Sequence, residues 1–499
     1  MSRTAGILMP VTSLPGKYGI GCFSKQAYDF VDWLRDAGQS YWQILPIHPT
    51  SFGDSPYQSF STFAGNPYFI SLEELIEEGV LTSEECDSLN FGGNESDIDY
   101  EVIYHNRYTL LARAYERSDI SENPEYQQFL SENCWWLDDY ALFMALKEFF
   151  GGKCWYEWPE DIRLRWGFAL DYYRRELYFE IEFQMYLQFK FFQQYRRLKA
   201  YANENHIKII GDIPIYVAMD SADAWAHPEL FQLDENNMPT AVAGCPPDGF
   251  SATGQLWGNP LYRWDYHKQT GYSWWMSRLW YVFQLYDVTR IDHFRGFDRF
   301  YAIPAGMTDA RVGRWCDGPK EELFKDKLDW NIVAEDLGVL DDGVYRLMAN
   351  TGYPGMKILQ FAFDSNPYHP YKPSNYSENC VAYTGTHDNA TFVEFVEGLS
   401  KYAREEFFNN VRSECEKFGV TLTRNCKLQV TKVLTELAYR SKAKFVIIPI
   451  QDLLLLGKEA RMNNPGTSGE WNWTWRLAPN QIKKSTAQTV AKLVKKAGR

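Results

Sequence analysis

Eight short runs of apolar and β-branched residues recur from one end of the chain to the other, and helical patterns lie between most of them. That alternation commits the chain to βα units and a parallel sheet. The runs cover residues 6–11, 41–47, 207–213, 288–291, 331–334, 356–363, 381–384 and 445–450. Eight parallel strands fit a closed barrel better than an open sheet. The expected class is therefore α/β, a (β/α)8 TIM barrel with inserted, largely helical subdomains. The clearest helix follows the first run: Ala27, Phe30, Val31 and Leu34 share one face at the i, i+3, i+4, i+7 spacing before Gly38 ends it. Another is expected over 342–350, closed by Gly352 and Pro354.

The chain reads as one barrel over 1–499 with two elaborations. Residues 50–206 are far too many for a single crossover, so an inserted helical subdomain is expected there. Helices at 73–78 and 138–150 belong to it, and a long aromatic helix over 169–203 ends it. Residues 220–271, rich in Gly, Pro and Trp, read as a loop-rich insertion over the barrel mouth, where loops are more often functional.

Composition narrows the partners. Lys and Arg number 51 against 65 Asp and Glu, a net charge of −14 that repels nucleic acid and anionic membranes. No apolar run approaches the ~18 residues of a membrane span. The nine cysteines form no CxxC pair or zinc-type spacing, as expected of reduced thiols in a cytoplasm. Aromatic residues make up 17% of the chain, including 18 Trp. Large buried side chains account for such a content, and so do flat walls that stack on sugar rings.

Six runs carry an acid at or shortly after their ends: Asp212, Asp292, Glu335, Asp364, Asp388 and Asp452. Parallel barrel strands end at one mouth, so these acids are expected to meet there. Singly, each reads equally as a solvated strand end or a helix N-cap. Together, crowded carboxyls raise one another's pKa, which is useful where a proton must be given at neutral pH. Retaining cleavage of a glycosidic bond needs a carboxylate nucleophile and a protonated carboxyl about 5 Å apart. Neighbouring strand ends supply Asp292 and Glu335, and Asp388 enters from across the mouth. Arg290 shares the face of Asp292 by the period of two and is placed to hold it ionised, which makes Asp292 the nucleophile and Glu335 the acid. His293 and His387 stand beside acids but lack metal-binding spacings, so they are read as hydrogen-bond donors to hydroxyls. No metal and no cofactor are expected.

The segments SPYQSFSTFAGNPYFISL (55–72), GDIPIYV (211–217), GQLWGNPLYRW (254–264), RIDHFRG (290–296), AEDLG (334–338), TGTHDN (384–389) and EARMNNPGT (459–467) run in order through nearly the whole chain. This set closely resembles the 4-alpha-glucanotransferases of the amylomaltase, or disproportionating-enzyme, family. The resemblance implies retaining double displacement on α-1,4-glucans, with Asp292 as nucleophile, Glu335 as acid/base and Asp388 as the transition-state-stabilising acid. It further places Arg290 beside the nucleophile, Asp364 and His387 on donor-sugar hydroxyls, and Ser55 and Tyr57 at the donor side, and Arg290 and His293 are counted with these as substrate-binding residues. Asp248, Gln255 and Trp257 belong to a loop over the cleft, with Asn463 and Pro465 on the opposite wall. For Asp212, a substrate contact and a structural role both stay open. The sequence departs from the family pattern at Ala390, where an acid usually stands, at Gly318-Pro319-Lys320, where the pattern is GPG, and at Phe52 in place of a tyrosine. The catalytic trio does not distinguish transfer from hydrolysis, since both pass through one glycosyl intermediate. A non-catalytic glucan-binding barrel is the reading of another class, opposed by the presence of all three acids.

Overall fold

The first barrel strand, Thr4–Leu8, pairs in parallel with Tyr41–Gln43 on one side and Phe445–Pro449 on the other, so the two ends of the sequence meet inside one sheet. The computed structural model describes residues 3–247, 251–325, 330–338, 340–364, 366–467, 469 and 471–499. Beyond Tyr41–Gln43 the sheet continues through Lys208–Pro214, Val288–Asp292 and Ile332–Ala334. Beyond Phe445–Pro449 it continues through Cys380–Tyr383 and Gly355–Ile358. All eight runs become strands of this parallel sheet. The Ala334 N–H donates to Pro354 O at 3.0 Å and draws the two edges together into a barrel. We number these strands first to eighth in chain order.

The crossover after the second strand is built from helices, the longest being Pro124–Phe149 and Tyr178–Glu204. Helix 138–150 of the sequence reading is only the end of the first. It begins earlier because Asn123 accepts from Glu125 N and Tyr126 N, with Pro124 fitting the first turn. The helix expected over 169–203 divides at Leu177 into Gly167–Glu176 and Tyr178–Glu204. On Tyr178–Glu204, two buried glutamines clamp the loop that carries Tyr57. Gln188 exchanges hydrogen bonds with both backbone groups of Gly65 (2.7 and 2.9 Å), and Gln194 does the same with Ser71 (2.7 and 3.3 Å). Gly65 is required there, since a Cβ would sit 2.1 Å from the Phe191 ring.

The stretch 220–271 departs from its reading as loops. Ala241–Cys245 and Gln255–Pro260 form an antiparallel pair, extended by Arg299–Pro304 and Arg314–Asp317 into a four-stranded sheet. Gly244 and Gly258 interrupt the apolar alternation that marks a strand, and a register shift between Val242 and Gly244 breaks it again.

Candidate active site

Strand register assembles the site. Asp212 of the third strand lies opposite Arg290 of the fourth. Neighbouring side chains on one face of a sheet are about 5 Å apart, and the Arg290 guanidinium grips both oxygens of Asp212 at 2.8 and 2.6 Å. Two residues on, Asp292 shares the face of Arg290, which donates to its Oδ1 at 2.7 Å. The last pair between the fourth and fifth strands is Ile291 with Ala334. One step further stand Asp292 and Glu335, rooted on adjacent strands that lie about 4.8 Å apart.

Glu335 is held from its backbone side. Its Oε2 accepts from His293 N at 2.8 Å and its Oε1 from Leu337 N at 2.7 Å. His293 aims its N–H there by adopting φ +53°, a left-handed conformation uncommon outside glycine. Burial and then the charge of Asp292 push Glu335 up to about 8, against the pull of Arg290 and the Leu337 N–H. Burial also raises Asp292 above its ordinary value, and Arg290 opposes that rise.

Asp388, following the seventh strand, is the contrasting acid. Burial works against its ionisation, yet His387 and Asn463 bring it down to about 2. The Nε2 of His387 is 3.3 Å from its Oδ2, and Asn463 Nδ2 donates to its Oδ1 at 2.7 Å. The side chains of Asp292 and Asp388 remain 32% and 41% exposed, so a ligand can reach both.

Tyr57 joins the two halves. Its hydroxyl donates to Asp212 Oδ2 at 2.8 Å and lies 3.0 Å from His387 Nε2, with the two rings stacked at 5.2 Å. A hydroxyl carries one proton, so the imidazole must supply the other at Nε2. A chain of polar contacts thus runs from Asp292 through Arg290, Asp212, Tyr57 and His387 to Asp388.

A family model described as 4-alpha-glucanotransferase matches residues 9–482. The chain belongs to the 4-alpha-glucanotransferase family. The 4-alpha-glucanotransferase of Clostridium butyricum is 44% identical over 98% of this chain and 100% of its own length, and that of Thermus thermophilus is 43% identical over 97% and 96%. Amylomaltase from Streptococcus agalactiae, solved in complex with acarbose, superposes with a TM-score of 0.94 at 39% identity, covering 100% of this chain and 99% of that one. Amylomaltase from Corynebacterium glutamicum shares the fold at 19% identity, TM-score 0.80, over 100% and 75%.

Within this member of the 4-alpha-glucanotransferase family, Gln255 and Trp257 come from the strand Gln255–Pro260. Trp257 Nε1 donates to Gln255 Oε1 at 3.0 Å, and the indole stands edge-on to His293 at 4.7 Å. Burial pushes the His293 imidazole down to about 3, leaving it neutral. Ser55 braces its own loop, its Oγ accepting from Tyr57 N at 3.3 Å. Pro465 is exposed two residues beyond Asn463, and Asp364 is an exposed loop acid, 3.8 Å from His369. Asp248 lies outside the described residues.

Two acids differ from their reading as groups that meet at the mouth. Asp212 is fully buried and its oxygens are occupied by Arg290 and Tyr57, so it offers no surface to a sugar. Asp452 is buried in the wall, accepting from Thr384 and from Phe392 N. Tyr216, which no spacing nominated, packs 6.3 Å from Trp257 and 6.4 Å from His293. Its place inside GDIPIYV was the one available signal.

Proposed function

We propose that this chain transfers α-1,4-glucan segments between maltooligosaccharide, starch or glycogen chains by retaining double displacement. The observation that carries the reading is the contrast between Asp292 and Glu335, one step beyond a register pair, one bound by a guanidinium and the other pushed up to about 8. Asp292 Oδ1 is engaged by Arg290, so Oδ2 attacks the anomeric carbon while Glu335 gives its proton to the departing glycosidic oxygen. Once Asp292 is glycosylated its charge is gone, and the repulsion that raised Glu335 goes with it. Glu335 then accepts the proton of an acceptor hydroxyl, whose oxygen displaces Asp292. Asp388, held low by His387 and Asn463, keeps a negative charge beside the oxocarbenium-like transition state. Gln255, Trp257 and His293 line the Glu335 side, where an acceptor sugar displaces water.

Among the described residues no helix is long and apolar enough to cross a membrane. The net charge of −14 fits an enzyme acting on uncharged glucans, and its nine free cysteines support a cytoplasmic one. Incubation with maltotriose alone tests the reading: glucose together with oligosaccharides longer than the substrate is expected. Products that only shorten, with reducing ends rising in step, would assign hydrolysis instead. Asp292→Asn should lower turnover by roughly 10⁴-fold, and undiminished turnover would remove Asp292 from its role.

A further inference from the structure

The barrel has two mouths, and the reaction proposed above uses only the C-terminal one. At the other, the residues that open the strands ring a hollow of about 970 Å³. Arg3, Lys208, Lys442 and Lys444 line it against a single acid, Glu378. This inverts the charge of a chain in which acids outnumber bases by 65 to 51.

These cations are not equivalent. Arg3 donates to Ser441 O at 2.7 Å and Ala497 O at 2.6 Å, so it is engaged at the carbonyl ends of two helices. Lys208, Lys442 and Lys444 form no ion pair and no side-chain hydrogen bond among the described residues. Lys444 Nζ only lies over the Phe445 ring, 5.0 Å from its centroid. Asp287, at the start of the fourth strand, is already paired with Lys199 at 3.1 Å. Surface lysines ordinarily spread out into water, where each is solvated alone. Here three line one concavity, Lys208 from the first residue of the third strand and Lys442 and Lys444 from the lead-in to the eighth, and a concave wall focuses their potential.

We propose that this hollow binds a small anion through its phosphoryl group, either free phosphate or a phosphorylated sugar. A phosphoryl group brings acceptor oxygens and negative charge to a hollow whose three lysines have no acceptor among the described residues. Lysines suit such a ligand as compact point charges on long stems. The site is separate from the catalytic acids and does not depend on the glucan-transfer reading.

Calorimetric titration of the full chain at low salt tests it, with orthophosphate, pyrophosphate, glucose 1-phosphate and, as the uncharged control, glucose. At least one phosphoryl compound should bind saturably at one site, and its affinity should fall as sodium chloride is raised. The triple variant Lys208→Ala, Lys442→Ala, Lys444→Ala should weaken that binding about tenfold or more, with maltotriose turnover unchanged as the check on folding. If the triple variant is insoluble, Lys442→Ala alone should still weaken it measurably. Tighter binding of glucose 1-phosphate than of phosphate would assign the sugar ester, and equal binding the bare phosphoryl group. Heats that do not saturate, or an affinity indifferent to the lysines, would overturn the site.

Discussion

Tyr57 sits between Asp212 and His387, its hydroxyl donating to the carboxylate at 2.8 Å and receiving the imidazole Nε2 at 3.0 Å. Asp212, fully buried, is therefore linked to both halves of the site, to Asp292 through Arg290 and to Asp388 through Tyr57 and His387. Tyr57→Phe removes the link and keeps the ring stack. We expect kcat for maltotriose to fall about tenfold and stability by about 1–2 kcal/mol, because Asp212 loses a buried donor. A variant with wild-type kcat would show that the contact is packing alone.

The pH dependence follows from Glu335. In the proposed reaction it must carry its proton to protonate the leaving oxygen, and burial and Asp292 push it up to about 8, so kcat/KM should decline as pH rises through that value. After burial, the main cause is the charge of Asp292. In Asp292→Asn, the Glu335 carboxyl followed by carbon NMR should therefore titrate lower than in the wild type. An unmoved titration would mean that burial alone raises Glu335.

The legible parts of this molecule are local ones. Each barrel strand announces itself by a run of β-branched residues, and Asp292, Glu335 and Asp388 stand at or just past strand ends, where parallel topology must gather them. What stayed hidden depends on pairing between distant segments. Nothing near Asp212 reveals that it faces Arg290, because strand register is set across 78 residues of chain. The positive φ of His293, which turns its N–H toward Glu335, leaves no mark in composition. The antiparallel strands of 241–260 were masked by glycines that a register shift and a hairpin tolerate.

A buried acid whose pKa is raised burdens the fold. Glu335 has a folded pKa of about 8 against an ordinary 4.5. Between those values the folded chain keeps a proton that the unfolded chain releases, so this group lowers stability progressively as pH rises through the window. Glutamine has no proton to lose. Glu335→Gln should thus be more stable than the wild type by on the order of 1–2 kcal/mol at pH 8, partial exposure screening the full shift. At pH 4 the advantage should vanish, while activity is lost throughout. Urea unfolding at the two pH values measures this, and an equal gain at both would point to a packing effect unrelated to titration.

Lys320 marks a second local burden. It stands where the resemblance implies a glycine, and its backbone takes φ +54°, where a Cβ crowds the following carbonyl oxygen. The pair of Lys320 Nζ with Asp317 Oδ1 at 3.2 Å joins two groups 46% and 74% exposed and contributes little. Lys320→Gly should raise stability by about 1 kcal/mol, relief of strain outweighing the extra freedom of glycine in the unfolded chain. Lys320→Ala separates the causes, because alanine discards the charge but keeps the Cβ, and it should bring no gain. If alanine stabilised as much as glycine in urea melts, the lysine side chain and not the backbone angle would be the source of the strain.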